Sequence, residues 1–150
     1  MTKVPSINQF FSEGKIAVAG VSRTRHKFGN AIFKELRKRG FDVVPVHPHI
    51  DDYEGQRCYH TLDELPEEVS AIVINTKNDI TLQLLQEARQ KGIQNIWLQQ
   101  GSLNKDALHA VQDDNANIIS RQCILMHAGE VKGIHAFHRW IKKSFGNLPE

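Results

Sequence analysis

The chain has 150 residues, 40% of them apolar and 24% charged, with 19 Lys and Arg against 17 Asp and Glu. That is ordinary globular composition and one domain's worth of chain, long enough to bury a core. A net charge of +2 is too small to argue for nucleic acid, and no apolar run approaches the roughly 18 residues of a membrane span. The opening Met1-Thr2-Lys3-Val4-Pro5-Ser6 is not followed by a signal-peptide apolar stretch, so the expected location is cytoplasmic, with Cys58 and Cys123 reduced.

Residues 1–14 read as a lead-in. Ile7, Phe10 and Phe11 would give a short amphipathic turn capped by Ser6. From Lys15 the hydrophobic period alternates between strand and helix. Residues 16–19 form a buried-strand candidate. Residues 28–39 read as a helix with Phe28, Ala31, Ile32 and Leu36 on its apolar face and Gly40 as its stop. The second strand is 42–46, ended by His47-Pro48. A polar loop over 49–60 follows, then at most a short helix at 61–65 before Pro66.

The third strand is 71–74. Asn78 or Asp79 would cap a helix over 80–91, with Leu84, Leu85 and Ala88 inward and Gly92 as its stop. The fourth strand is 95–98, a helix over 103–113 follows, and the fifth strand is 117–120. Residues 131–145 carry an apolar stripe of Ile134, Phe137, Ile141 and Phe145, a last helix that covers the sheet or meets a second copy of the chain.

Alternation at this spacing predicts an α/β fold. It is a three-layer, doubly wound, Rossmann-like parallel sheet of about five strands, with an extra C-terminal helix. The whole chain, 1–150, is one domain, with 129–150 as a helical extension. Ligands of such sheets bind beyond the carboxyl ends of the strands, which here means loops 20–29, 47–49, 75–78 and 99–102.

The richest of these loops is Gly20-Val21-Ser22-Arg23-Thr24-Arg25-His26-Lys27-Phe28-Gly29. A glycine lets backbone N–H groups approach a phosphate, and a helix N-terminus adds roughly half a positive charge. Arg23, Arg25 and Lys27 add fixed charge. The G-x-G-x-x-G and P-loop spacings are both absent. The second strand ends in Pro45-Val46-His47-Pro48, without the acid that would take a ribose 2′-OH. Basic residues in place of that acid suit a nucleotide with an extra phosphate, and NADP and coenzyme A both qualify.

Several motifs in order resemble the small stand-alone CoA-binding domain proteins. They are Gly20-Val21-Ser22, Phe28-Gly29, Gly40-Phe41-Asp42-Val43-Val44-Pro45-Val46-His47-Pro48, Glu54-Gly55, residues 59–66, Gly92-Ile93, Trp97-Leu98-Gln99-Gln100-Gly101 and residues 120–127. The same fold forms the N-terminal domain of the succinyl-CoA synthetase alpha subunit. The resemblance implies that the turn at 20–23 receives the CoA pyrophosphate, with Ser22 as a hydroxyl donor. It implies that Val46 and Pro48 flank the adenine, that a basic residue of 23–27 meets the 3′-phosphate, and that Asn75, Thr76 and Lys77 line the pantetheine. It departs from the family at His47, where Asn is common. Gln99, at a strand end, is a further polar candidate.

Trp97, inside a strand pattern, reads as core. Cys58 with His60, and Cys123 with His127, lack the spacing of a zinc site, and His135 and His138 read as surface residues. No nucleophile–base pair or carboxylate dyad can be assembled. Ligase chemistry in the similar synthetases needs a phosphohistidine domain and an ATP-grasp partner, and neither is readable here. The expectation is therefore a binder of CoA or an acyl-CoA without catalysis of its own, alone, as a homodimer or beside an acyl-CoA-handling enzyme. A small NADP-dependent oxidoreductase and a CoA-responsive scaffold acting through the last helix are the alternatives.

Overall fold

The computed structural model describes residues 6–12, 14–99, 101–103 and 116–128. A helical turn, α1 (Ile7–Phe10), leads into strand β1 (Lys15–Ala19), helix α2 (Phe28–Lys38) and strand β2 (Val43–Val46). A two-residue hairpin, β3 (Asp52–Tyr53) and β4 (Gln56–Arg57), follows. Then come β5 (Val69–Ile74), α3 (Asn78–Lys91), β6 (Asn95–Gln99) and β7 (Asn117–Gln122), with 3-10 turns at Leu62–Glu64 and Ile124–Met126. The helices expected at 103–113 and 131–145 lie outside the described residues apart from Leu103.

The sheet order is β2-β1-β5-β6-β7, and every pairing in it is parallel. From β1 the chain moves outward to β2, and from β5 it moves the other way to β6 and β7. The winding therefore reverses between β1 and β5, as the alternation predicts. Period-2 alternation divides the sheet between two apolar layers. Ile16, Val18, Val43, Val73 and Trp97 pack with Ile32, Phe33 and Leu36 of α2 on one face. Ala17, Ala19, Val44, Ile72, Ile74 and Leu98 pack with Leu85 and Ala88 of α3 on the other.

The lead-in closes the first layer. Ser6 accepts from the Gln9 amide at 3.1 Å, the cap expected of it. Phe10 and Phe11 then reach Trp97, with ring centroids 5.3 and 5.9 Å away. Buried Asn117 pins the same segment, accepting from the Ser6 N–H at 2.6 Å and donating to the Ser6 carbonyl at 2.7 Å. Trp97 is a core residue, as its strand pattern indicates, and its indole N–H donates to the Gln122 carbonyl.

Three local expectations are corrected and one is extended. The inward face of α2 is Gly29, Asn30, Ile32, Phe33 and Leu36. Phe28 and Ala31 point to solvent, because the helix must turn Gly29 and Asn30 toward the sheet end. The loop 49–60 contains the hairpin, turned at Glu54 and Gly55 with φ of 50° and 81°. Its strands are too short to show a period, yet Tyr53 is buried. Helix α3 begins at Asn78, so Asn78 and Asp79 lie inside its first turn and Lys77 holds the N-cap position without a side-chain bond. Leu84 packs half-buried against the second layer as expected, but the inner face of that helix also includes buried Thr81, which the apolar pattern leaves out.

Pro45 cannot donate a ladder hydrogen bond, and it stands on the edge strand where that cost is small. The edge is covered at this point. Tyr59 donates its N–H to the Pro45 carbonyl at 3.0 Å, and its own carbonyl accepts from His47 N–H at 2.9 Å. Among the described residues no helix is long and apolar enough to cross a membrane.

Candidate functional site

The loops after β1, β2 and β5 meet at the carboxyl edge of the sheet, around the winding reversal. Their closeness is a matter of backbone. Gly20 has φ 133°, and a Cβ there would stand 2.5 Å from the Asn75 carbonyl oxygen. Gly29, in the first turn of α2, faces back on β1, and a Cβ there would overlap the Gly20 carbonyl. Two glycines nine residues apart thus do what closely spaced glycines do in dinucleotide folds, letting a helix start press against a strand end.

Between them, Asn30 shapes the loop. Its Oδ1 accepts from the Ser22 N–H at 2.8 Å and from the Tyr53 hydroxyl at 2.5 Å. Its Nδ2 donates to the Thr24 carbonyl at 2.9 Å. Burial pushes the Tyr53 phenol up to about 12, so it stays a donor. Ser22 Oγ accepts from the Thr24 N–H at 3.0 Å, and a hydroxyl that accepts still has a proton to donate. Neither Asn30 nor Tyr53 was singled out from the sequence. Neither carries a periodic signal, since Asn30 is polar on a helix face and Tyr53 sits in a two-residue strand.

The remaining loop residues face outward. Arg23, Arg25 and Lys27 are exposed and, among the described residues, form no ion pair. Lys27 caps α2 in position only, without a side-chain bond. Phe28 is 39% exposed beside them. Val21 is different, because its side chain is buried in the first apolar layer and only its backbone belongs to the loop.

At the end of β2, Val46 is also buried, in the second layer with Leu62 and Leu65. A ligand there would meet its backbone, with Pro48 exposed and His47 half-buried. His47 Nδ1 accepts from the His49 N–H at 3.0 Å, which places the proton of the neutral ring on Nε2. Burial holds His47 below the ordinary imidazole value, and His49, Arg23 and His60 lower it further. Cys58 lies below, 2% exposed. Burial pushes its thiol up to about 11, an inert thiol rather than a nucleophile.

After β5, the Thr76 and Thr81 hydroxyls pair at 2.7 Å, and Thr81 Oγ1 lies 3.1 Å from the Thr76 carbonyl, so this loop is held from within α3. Asn75 is half-buried and Lys77 exposed. Gln99 is buried, and its Oε1 accepts from the Ile124 N–H at 3.1 Å. It braces the turn after β7. Gly20, Val21, Ser22, Arg23, Arg25, Lys27, Phe28 and Gly29 are thus one loop, with Asn75 packed against its base. Among the described residues no group of three His, Cys, Asp or Glu could hold a metal ion.

A family model described as a CoA binding domain matches residues 14–129. The chain is 33% identical over 92 residues to the ADP-forming acetate–CoA ligase II of Archaeoglobus fulgidus. That match covers 60% of this chain and 14% of the ligase, so the chain spans about a seventh of the ligase's length. It is 23% identical over 110 residues to the uncharacterized protein YneT of Bacillus subtilis, covering 73% of this chain and 82% of YneT. A solved structure of a conserved hypothetical protein from Pyrococcus furiosus superposes with a TM-score of 0.69 at 34% identity, over 74% of this chain and 96% of that one. With the glycine-closed loop beside the winding reversal, the family match over residues 14–129, from β1 past β7, places this chain in the CoA binding domain family.

Proposed function

We propose that this protein binds coenzyme A, or an acyl-CoA, at the β1, β2 and β5 loop ends and catalyses no reaction of its own. The supporting observation is the loop itself. It is closed backbone to backbone by Gly20, Gly29 and Asn75, and it carries three exposed cations with no ion pair among the described residues. The pyrophosphate sits against the backbone of Gly20 and Val21 and the first turn of α2 at Phe28 and Gly29, where amide dipoles favour an anion. Ser22 donates its hydroxyl proton, and Arg23, Arg25 and Lys27 neutralise phosphate charge. The adenine lies along the backbone of Val46 and against His47 and Pro48. Asn75, Thr76 and Lys77 border the pantetheine arm, while Gln99 supports the neighbouring turn.

Ligand stabilisation tests this. At about one hundred times Kd a ligand adds about 2.7 kcal/mol, which raises the melting temperature of a chain this size by about 5–10 °C. CoA is expected to do so, to lose most of the effect in the combined variant R23A, R25A and K27A, and to act less at high salt. NADPH titrated in parallel separates the oxidoreductase alternative. A shift with NADPH and none with millimolar CoA would overturn the proposal.

A further inference from the structure

Gln99 ends β6 with a side chain that the protein only half uses. It is 4% exposed, and its Oε1 accepts from the Ile124 N–H at 3.1 Å. A backbone N–H can only donate, so the atom facing Ile124 is the oxygen and the orientation of the amide is fixed. Nε2 therefore points away from that turn, and its two N–H groups have no partner among the described residues. No buried side-chain N or O is left unpaired among those residues, so Nε2 reaches the surface of the sheet's carboxyl edge rather than ending in the core. Strand alternation puts Gln99 on the same face as Trp97, the face that α2 covers. Its neighbour on the β5 side is Asn75, one residue beyond the Ile74–Leu98 pair and still on the ladder, donating its N–H to the Ala19 carbonyl at 2.8 Å. The same Asn75 packs on Gly20. Gln99 thus stands one strand beyond the base of the glycine-closed loop.

Sheet order sets what meets it. The CoA reading above lays adenine at β2, pyrophosphate at β1 and pantetheine at β5, and the strands run β2-β1-β5-β6-β7. Neighbouring strands lie about 4.8 Å apart. A pantetheine arm is as long as about four extended residues, about 14 Å. It covers about three strand steps from β1, and its sulfur end arrives over β6 and β7. Resting on that reading, we propose that Gln99 Nε2 donates to the carbonyl oxygen of a thioester, so that the site selects acyl-CoA over free CoA. A thioester carbonyl accepts the N–H. A free thiol offers only a weak acceptor and leaves the N–H groups to water. One neutral hydrogen bond of this kind corresponds to about three- to tenfold in affinity.

Calorimetric titration of the full chain with CoA, acetyl-CoA and S-ethyl-CoA tests this. S-ethyl-CoA matches the acetyl group in size and lacks its carbonyl oxygen, so it separates hydrogen bonding from apolar burial. Acetyl-CoA is expected to bind about three- to tenfold more tightly than either of the others. Gln99→Glu keeps an oxygen for the Ile124 N–H and replaces the donor with a second acceptor. At about pH 8, where a glutamate is ionised, the preference of this variant for acetyl-CoA over S-ethyl-CoA is expected to vanish or invert. The ligand comparison on the unaltered chain stands by itself should the variant fail to fold. Equal affinity for acetyl-CoA and S-ethyl-CoA on the unaltered chain, or a preference that survives in Gln99→Glu, overturns the carbonyl subsite and leaves the CoA reading standing. Failure of all three ligands to bind overturns both.

Discussion

Asn30 is where a single side chain decides the shape of the loop between Gly20 and Gly29. It is 5% exposed and satisfies two donors and one acceptor from two segments, the 20–29 loop and β3. Asn30→Ala leaves the Ser22 N–H and the Tyr53 hydroxyl buried without an acceptor, a cost of about 1–3 kcal/mol. The expected result is a lower urea midpoint and CoA binding weakened about tenfold. Tyr53→Phe removes one donor and leaves the Asn30 bonds to Ser22 and Thr24, so about 1 kcal/mol is expected. Equal midpoints for N30A and the parent chain would show that the loop holds its shape without this residue. From sequence, Asn30 was invisible because helical periodicity weighs apolar residues. It placed Phe28 and Ala31 inward, where close backbone packing instead demanded Gly29 and a hydrogen-bonding Asn.

At the scale of elements, the contact between α2 and β1 sets the site. Gly29→Ala inserts a methyl into the Gly20 carbonyl, so either the helix start or the strand end must move. Overpacking of this kind costs about 1–3 kcal/mol, and here the displaced groups are the amides assigned to the pyrophosphate. G29A is expected to lower the urea midpoint and to weaken CoA binding more than an equally destabilising core change such as Ile32→Val. Equal loss of affinity in both variants would mean the helix start is not part of the site. The strands and long helices were legible because each spans several repeats of its period. The β3–β4 hairpin was not, since two residues cannot display a period and its turn places Glu54 at positive φ.

Across the molecule, two buried acids couple stability to pH. Burial raises the Cys58 thiol from 9.0 to about 11 and the Tyr53 phenol from 10.0 to about 12. In the unfolded chain both ionise first, so above about pH 9 the unfolded state binds fewer protons than the native state. Their contribution is complete below the unfolded values and is lost as pH rises through the folded ones. Urea midpoints are therefore expected to fall between about pH 9 and 12, and the fall to be shallower in Cys58→Ala. An unchanged slope in C58A would remove the thiol from this account.

The sequence by itself determined the alternation of strand and helix, hence a parallel, doubly wound sheet, and it marked the basic loop between Gly20 and Gly29. Those properties are local, written in hydrophobic period, glycine placement and charge. The tertiary structure alone decided which side chains of the marked loops are turned outward and which are buried. Val21 and Val46 turn into the core, Gln99 braces the Ile124 turn, and Asn30 and Tyr53, 23 residues apart, join to hold the loop. The physical reason is that the buried direction of a residue at a strand end is set by the layers packed on the sheet, and no window along the chain contains both the residue and the layer it meets.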